Sequence, residues 1–252
     1  MTLPVQLAAR RSFGRQVLDQ LSQLVRDRFL QGRDADVESE QFFRNEVSRQ
    51  FPDDPVQGEE LGCDVGADLD GWLIDPLDGS TNHGQGIPLF AVSIAYRVAG
   101  TPLLGWVSDP VRGEWFEAIK DQGIQCNGAT PTNDCDPDPA IICLSPRWRG
   151  VHSNWRDHFP RGIKQRSFGT IALEMAWIAA GRLQAGAWYR THPWDVCAGQ
   201  LLIRESGGQV HEVADGGPGE MIAAASGATT WMESLQSTIA SGGKDAPNTD
   251  PV

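Results

Sequence analysis

One short stretch, residues 71–82, limits the possible folds of this 252-residue chain more than any other part of it. Its apolar run Trp72–Ile74 predicts a buried strand, which stops at Asp75. Pro76 stiffens the turn that follows and interrupts the ladder of strand hydrogen bonds. The carboxylates of Asp75 and Asp78 can therefore converge on one point, as the binding of a divalent cation requires.

The same turn offers further groups to a ligand. The carbonyl of Leu77 adds an oxygen, and Gly79 lets the backbone approach a ligand closely. A helix that begins near Gly79 would direct its first N–H groups at the same point, which favours an anion. The hydroxyl of Ser80 or Thr81 could orient a water molecule. The alternative for this stretch is an ordinary loop whose aspartates only cap backbone groups.

The rest of the chain alternates helical and strand-like patterns. Strand-like runs that follow one another with turn signals predict a meander, and so a partly antiparallel sheet. Asn127–Gly128 is a hairpin candidate, and Asp36 stands at the N-cap position of the second helix. Helices are predicted at 5–31, 37–50, 169–180 and 194–205, and strands at 72–74, 90–97, 103–107, 114–119, 140–144, 183–189 and 209–213.

Length and composition set the expected domain organisation. A chain of 252 residues suits one large domain, and a loop rich in Pro, Asp, Asn and Thr at 131–139 divides it. We therefore expect a single domain over residues 1–240, with two intimate halves at about 1–130 and 140–240. The polar tail at 241–252 has no periodicity and is expected to be disordered.

Charge and cysteine content exclude several classes of protein. A formal net charge of −12 repels nucleic acid and argues against a two-metal nuclease, which needs a basic groove. No run approaches the roughly 20 apolar residues of a membrane span, so no membrane partner is expected. Five cysteines without a CxxC pair indicate a cytoplasmic protein rather than a disulfide framework or a zinc site. Hard oxygen atoms are the expected ligands of any metal.

Four motifs, in the right order, resemble those of the inositol monophosphatase family. Asp75–Asn82 reads Asp-Pro-Leu-Asp-Gly-Ser-Thr-Asn and resembles the family signature. Gly58–Glu60 is similar to its upstream GEE motif, Arg166–Thr170 to its R-S-x-G-[ST] segment, and Trp194–Gly199 to its WDxAAG motif, with Cys197 in place of an alanine. The resemblance implies an α/β (α+β) layered sandwich of alternating helix and mixed-sheet layers, and a homodimer.

The resemblance also implies the metal and catalytic residues. In the family pattern, Mg²⁺ would be bound by two aspartates of the signature, an upstream glutamate, a backbone carbonyl and the aspartate of the late motif. Asp36 would lie near a third metal ion, and Glu59 with Ser80 would orient the attacking water. The N–H groups of Gly79 and Ser80 would hold the phosphate. The implied metal ligands are Glu59, Asp75, the carbonyl of Leu77, Asp78 and Asp195.

The leaving group is the least defined part of the prediction. Inositol-specific members carry an acidic residue six positions before the motif tryptophan, whereas this chain has Trp188 there. Trp188 could stack on a sugar or an aromatic group, and Arg190 could pair with a second phosphate or a carboxylate. The alternative is that Trp188 faces the core and that Arg190 is solvated.

The expected function is therefore Mg²⁺-dependent hydrolysis of a small phosphate monoester by water, with an inositol phosphate or a sugar phosphate as substrate. The alternatives are fructose 1,6-bisphosphate, histidinol phosphate and 3′-phosphoadenosine 5′-phosphate. A hypothesis of a different class is a non-enzymatic regulatory or binding module that keeps the fold.

Overall fold

A computed structural model describes residues 3–63, 70–132, 138–213 and 219–241. These residues form five layers, in which helices alternate with two mixed sheets. The layered α/β sandwich expected from the sequence is confirmed. Among the helices described, none has the length and the apolar run that crossing a membrane would require.

The first sheet is built from one continuous part of the chain, residues 56–126. Its strand order is the order of the sequence, with the first pair parallel and every later pair antiparallel. The meander predicted from the turn signals is therefore confirmed. Its strands are β1 (Val56–Gly58), β2 (Gly71–Asp78), β3 (Ala91–Val98), β4 (Thr101–Asp109), β5 (Glu114–Ile119) and β6 (Ile124–Cys126).

Two long helices, α1 (Leu3–Leu30) and α2 (Asp36–Gln50), cover one face of this sheet. Apolar residues of both helices pack against Trp72 of β2 and Trp106 of β4. The prediction that Asp36 is the N-cap of α2 is wrong. Ala35 is the N-cap, and the N–H of Asp36 donates to Asp34 Oδ1 at 2.9 Å, so Asp36 is the first helical residue and its carboxylate is left for other partners.

The second sheet uses residues 141–224 and contains the strands β7 (Ile141–Leu144), β8 (Lys164–Arg166), β9 (Ala185–Thr191), β10 (Gln209–Val213) and β11 (Gly219–Ala224). Their order in the sheet is β10-β11-β9-β7-β8. Strand β7 is parallel to both of its neighbours, and the other pairs are antiparallel. Between the two sheets lie α5 (Ile171–Ala179) and α6 (Pro193–Glu205). The remaining elements are α3 (Ser80–Gly84), α4 (Pro146–Val151), a 3₁₀ turn (Trp155–His158) and α7 (Thr229–Ser241).

Two glycines allow the middle helix layer to pack closely. A Cβ on Gly105 of β4 would lie 3.1 Å from the backbone of Ala198 in α6. A Cβ on Gly199 of α6 would lie 2.6 Å from Cβ of Met175 in α5. Because neither position has room for a larger residue, α6 lies directly on both the first sheet and α5. This packing places the first turn of α6 near β2.

The structure corrects three local expectations. Strand β2 does not stop at Asp75 but continues to Asp78, and its register against β3 shifts between these two residues. Asn127–Gly128 does form a tight turn, with both φ angles positive, but it leads only to an isolated bridge at Ala129. Ser241 closes α7 rather than opening the tail, and residues 242–252 lie outside the described part of the chain.

Residues 133–137, which fall in the predicted loop between the two halves, also lie outside the described residues. The division into halves at about 1–130 and 140–240 stays a prediction.

Candidate active site

Three carboxylates from distant parts of the chain meet beside β2. Glu59, Asp75 and Asp195 each place one carboxylate oxygen within 4.8 Å of the other two. Glu59 follows β1, Asp75 lies within β2, and Asp195 lies in the first turn of α6. Parallel pairing of β1 with β2 and the packing of α6 on the first sheet therefore assemble the group. Together with Asp78, these residues are called the carboxylate cluster below.

Asp75 is the most deeply buried member of the cluster, with 2% of its surface exposed. Its Oδ1 accepts a hydrogen bond from the N–H of Leu77 at 3.0 Å, across the shift in register. Burial raises the pKa of Asp75 well above its usual value, and the charges of Asp78, Glu59 and Asp195 raise it further. The carboxylate is thus held rigidly in a place that disfavours its charge.

Asp78 links the end of β2 to the first turn of α5. Its Oδ2 accepts hydrogen bonds from Thr170 Oγ1 and from the N–H of Ala172, both at 2.6 Å. It therefore caps the first turn of α5 from a distant part of the chain. Burial is the main cause that raises the pKa of Asp78 to about 7, whereas the hydrogen bonds to α5 act in the opposite direction.

Asp195 is held by its own helix terminus. Its Oδ2 accepts the N–H of His192, the N-cap of α6, at 2.8 Å. The carbonyl of Trp194 accepts a hydrogen bond from Ser93 Oγ at 3.3 Å, which ties this turn to β3. Burial raises the pKa of Asp195 to about 6, and the charge of Glu59 adds to this effect.

Glu59 and Asp36 form the outer edge of the site. Glu59 as a whole residue is exposed, but its carboxyl group is partly shielded from solvent. This partial burial, together with the charges of Glu60 and Asp78, raises the pKa of Glu59. Asp36 is half-buried, and burial with the charges of Asp34, Glu60 and Glu59 raises its pKa to about 7. Asp36 therefore faces the same acidic region, on the side of Glu59 and Glu60.

The donor set of the cluster fits a hard divalent cation. All of its side chains offer carboxylate oxygens, the ligands that Mg²⁺ prefers. Within residues 3–63, 70–132, 138–213 and 219–241, no ion pair involves any of its members. A nearby positive charge favours the ionised form of carboxylates whose pKa values are raised by burial and by like charges. The side chains of the cluster would hold Mg²⁺; the carbonyl of Leu77 as a further ligand stays a prediction.

The predicted phosphate-binding residues lie at the start of α3. Gly79 has a φ of 99°, and a Cβ there would come within 3.2 Å of the carbonyl oxygens of Leu89 and Gly169. Only glycine therefore suits this close approach of two chain segments. Ser80 is exposed and lines a cavity of about 360 Å³ together with Asp36.

The two predicted substrate residues lie in different environments. Trp188 is 1% exposed, and its indole N–H donates to Glu174 Oε2 at 2.6 Å. Its ring lies over Gly186, where a Cβ would come within 2.4 Å of the ring. The prediction that Trp188 contacts substrate is therefore wrong, because the side chain is part of the core. Arg190 is half-buried near the end of β9 with a φ of 61°, and its role toward substrate stays a prediction.

The sequence interpretation missed two buried glutamates near the site. Glu174 of α5 accepts the N–H of Phe168 at 2.6 Å in addition to the indole of Trp188. Burial is the main cause that raises its pKa to about 7. Glu40 of α2 is fully buried one turn after Asp36. Glu174 could have been found as the one charged residue in an otherwise apolar helix, whereas Glu40 carries no such signal.

Comparison with known proteins agrees with this geometry. The sequence profile of the inositol monophosphatase family matches residues 31–242. The chain is 36% identical over 179 residues to Nus factor SuhB of Salmonella typhimurium, which covers 68% of this chain and 67% of the relative. It is 32% identical over 182 residues to inositol-1-monophosphatase of Bacillus subtilis, covering 69% of each chain.

A solved structure gives the same result for the fold. The crystal structure of extragenic suppressor protein suhB from Bartonella henselae matches with a TM-score of 0.79 at 26% identity, over 93% of this chain and 99% of that one. The family profile, the two sequence relatives and the fold all cover most of this chain. The chain therefore belongs to the inositol monophosphatase family.

Proposed function

We propose that this protein is a Mg²⁺-dependent phosphatase that hydrolyses a small phosphate monoester. The observation that carries the proposal is the carboxylate cluster, in which three oxygens from three elements lie within 4.8 Å of one another. A structural role alone does not explain why several like charges would be brought together, one of them buried, without an arginine or lysine partner among the described residues. Membership of a phosphatase family supports the same chemistry.

When Mg²⁺ is bound at such a site, it supplies positive charge against the phosphoryl oxygens and makes water a stronger acid. The side chains of the chain then have separate tasks. Glu59 and Ser80 orient the attacking water, Glu59 as acceptor and Ser80 through its hydroxyl. The N–H groups of Gly79 and Ser80 donate to the phosphate, and Asp36 adds negative charge at the outer edge. Glu59, Asp75, Asp78 and Asp195 hold the cation.

The leaving group belongs to a small polar molecule, with an inositol phosphate or a sugar phosphate as the first choice. The burial of Trp188 removes the stacking that it could have offered to a sugar or to an aromatic group, so this residue favours neither kind of leaving group. Arg190 stays a candidate for pairing with a second anionic group of the substrate. We also propose a homodimer in the cytoplasm; the cysteines of the described residues (Cys63, Cys126, Cys143 and Cys197) are all free thiols, which suits a reducing compartment.

The test is phosphate release from a panel of monoesters, with Mg²⁺ and with EDTA. The panel contains inositol 1-phosphate, fructose 1,6-bisphosphate, histidinol phosphate and 3′-phosphoadenosine 5′-phosphate. Turnover of one compound that disappears in EDTA supports the proposal and identifies the substrate. Release that is equal in Mg²⁺ and EDTA would reject the metal-dependent mechanism.

A second candidate is a non-enzymatic role, because several relatives carry the name Nus factor SuhB. It predicts that the chain releases no phosphate from any panel member although calorimetry shows bound Mg²⁺. Every carboxylate of the cluster and the hydroxyl of Ser80 are retained, which favours the hydrolase.

A further inference from the structure

The segment that carries Glu59 has little regular structure of its own. Strand β1 is only three residues long, and residues 59–61 form bends after it. Glu59 is itself exposed, so packing of its side chain does not fix its position. Besides its side-chain hydrogen bond with Asp75, contacts of its backbone segment therefore help to keep its carboxylate within 4.8 Å of Asp75 and Asp195.

Glu40 makes that contact from below. It lies on α2, one helical turn after Asp36, and its side chain is fully buried. Its Oε2 accepts the N–H of Glu60 at 2.7 Å, and its Oε1 accepts the N–H of Leu61 at 3.2 Å. The two backbone groups that directly follow Glu59 are thus bound to one carboxylate.

Arg44 completes the arrangement one turn further along α2. Its Nε donates to Glu40 Oε1 at 2.8 Å. Its two terminal nitrogens donate to the carbonyl of Val56, at 3.3 Å, and to the carbonyl of Gly62. Arg44 therefore binds the start and the end of the segment whose middle is bound by Glu40.

Gly58 is adapted to this contact. A Cβ at position 58 would lie 2.3 Å from the carboxylate of Glu40. Any larger residue would therefore displace either the Glu40 carboxylate or the backbone at position 58. The N–H of Gly58 also donates to the carbonyl of Gly62 at 3.0 Å, which closes the segment into a loop. The first residue of the Gly-Glu-Glu motif is thus explained by the side chain beneath it.

We propose that Glu40 and Arg44 are positioning residues that hold Glu59 in the carboxylate cluster and thereby set the affinity of the site for Mg²⁺. The inference rests on the proposed function, since it takes Mg²⁺ as the ion. Neither residue belongs to the carboxylate cluster. Without them, binding of the ion would have to order the loop, and groups that orient metal ligands typically change affinity by about 10- to 100-fold.

The competing explanation is an ordinary structural ion pair, and the chain offers a matched control for it. Glu117 of β5 is buried like Glu40, accepts two hydrogen bonds from Arg11 at 3.1 and 2.7 Å, and accepts the indole N–H of Trp106 at 3.0 Å. It touches none of the residues of the carboxylate cluster through these bonds. Glu117→Gln therefore removes a comparable buried charge away from the loop.

The experiment measures Mg²⁺ binding by calorimetry and unfolding temperature for the full chain and for two variants, Glu40→Gln and Glu117→Gln. The glutamine keeps the size of Glu40 but replaces one acceptor oxygen with a donor that faces a backbone N–H. We expect Glu40→Gln to raise the Kd for Mg²⁺ by about 10- to 100-fold. We expect Glu117→Gln to leave it within about 3-fold, although both variants lower the unfolding temperature.

Two further measurements make the result decisive. Arg44→Lys keeps the charge but loses the two-carbonyl contact, so it should also weaken Mg²⁺ binding, and it replaces Glu40→Gln if that variant does not fold. The rate of hydrogen exchange of the backbone amides of residues 59–62 should increase in Glu40→Gln and in Arg44→Lys, and it should not increase in Glu117→Gln. Equal Mg²⁺ affinity in the wild type, Glu40→Gln and Arg44→Lys would overturn the proposal.

The outcome separates this inference from the proposed function. A wild type that binds Mg²⁺ but hydrolyses no panel member, with weaker binding in Glu40→Gln, supports the positioning role and rejects the reaction. A wild type that binds no Mg²⁺ overturns both.

Discussion

Two groups of carboxylates in this chain are stabilised in opposite ways. One group is paired with arginine: Arg44–Glu40 at 2.8 Å, Arg11–Glu117 at 2.7 Å and Arg112–Asp109 at 2.6 Å. The carboxylate cluster has no such partner among the ion pairs of the described residues, and its members raise one another's pKa values. The arginine-paired carboxylates below are Glu40, Asp54, Asp109 and Glu117.

The difference shows where stability has been given up for binding. A buried charge with a hydrogen-bonded partner is tolerated, whereas buried like charges oppose folding until a cation joins them. The structure maintains the cluster with neutral donors instead: the N–H of Leu77 for Asp75, α5 for Asp78 and the N–H of His192 for Asp195. These donors fix the direction of each carboxylate without cancelling its charge.

The largest effect that would test this comparison is on turnover. Asp78→Asn removes a charge from the cluster while its amide oxygen can still cap α5, so we expect the fold to remain and turnover to fall by about 10³-fold or more. The matched control is Asp109→Asn, which alters a buried aspartate that pairs with Arg112. It should retain turnover within about 3-fold and lose about 1–3 kcal/mol of stability. Steady-state phosphate release and thermal unfolding check both variants, and unchanged turnover in Asp78→Asn would refute the assignment of the cluster.

A smaller effect should appear in stability, with opposite signs in the two groups. Asp75→Asn relieves repulsion from Asp78, Glu59 and Asp195, so it should raise the metal-free free energy of unfolding by about 1–2 kcal/mol. Asp54→Asn breaks the contact with Arg10, and it should lower the free energy by a comparable amount.

Mg²⁺ provides the second arm of the same measurement. Added Mg²⁺ should raise the unfolding temperature of the wild type and of Asp54→Asn, because a ligand that binds only the folded state stabilises it. It should have little effect on Asp75→Asn, which lacks a central ligand. Denaturant titrations with Mg²⁺ or EDTA measure both effects, and destabilisation of metal-free Asp75→Asn would contradict the repulsion argument.

The sequence predicted the fold best where local patterns coincide with elements. The period of α1 and α2 and the turn signals between β3, β4 and β5 are local, and their predicted bounds lie within three residues of the observed ones. The sequence patterns predict no helix or strand for residues 145–168 and 219–241. Strand β8 has only three residues and exists because β7 lies beside it, which no local pattern records.

The same distinction applies to the candidate site. Asp75 and Asp78 are three residues apart at the end of β2, so their chemistry can be inferred from the sequence alone. The convergence of Glu59 and Asp195 on them depends on strand pairing and helix packing, and it came only from the resemblance to a family. The burial of Glu40 depends on a loop 20 residues later, and the direction of Trp188 depends on space over Gly186. Such contacts are properties of the folded chain.

Glu174 stands between the two groups of carboxylates, and it leads to the smallest predicted effect. It is 3% exposed and has neutral donors only, the N–H of Phe168 and the indole of Trp188, in the bonds described for it. Trp188→Phe keeps an aromatic ring in the core but removes the indole donor. We expect a loss of about 1–2 kcal/mol in the free energy of unfolding, because the variant loses one hydrogen bond to a buried carboxylate but keeps most of the packing of the ring.

The catalytic consequence of Trp188→Phe distinguishes core from substrate contact. If Trp188 serves only the core, KM for the substrate found in the panel should stay within about 2-fold, since no binding contact is removed. A tryptophan that stacked on substrate would instead lose part of its stacking area in Trp188→Phe, so KM would rise beyond this 2-fold limit. Arg190→Met is the companion variant, because its half-buried side chain lies two residues further along β9. A raised KM in Arg190→Met with an unchanged KM in Trp188→Phe would assign leaving-group recognition to the end of β9 and leave the core tryptophan, with Glu174, as support for the loop at Phe168.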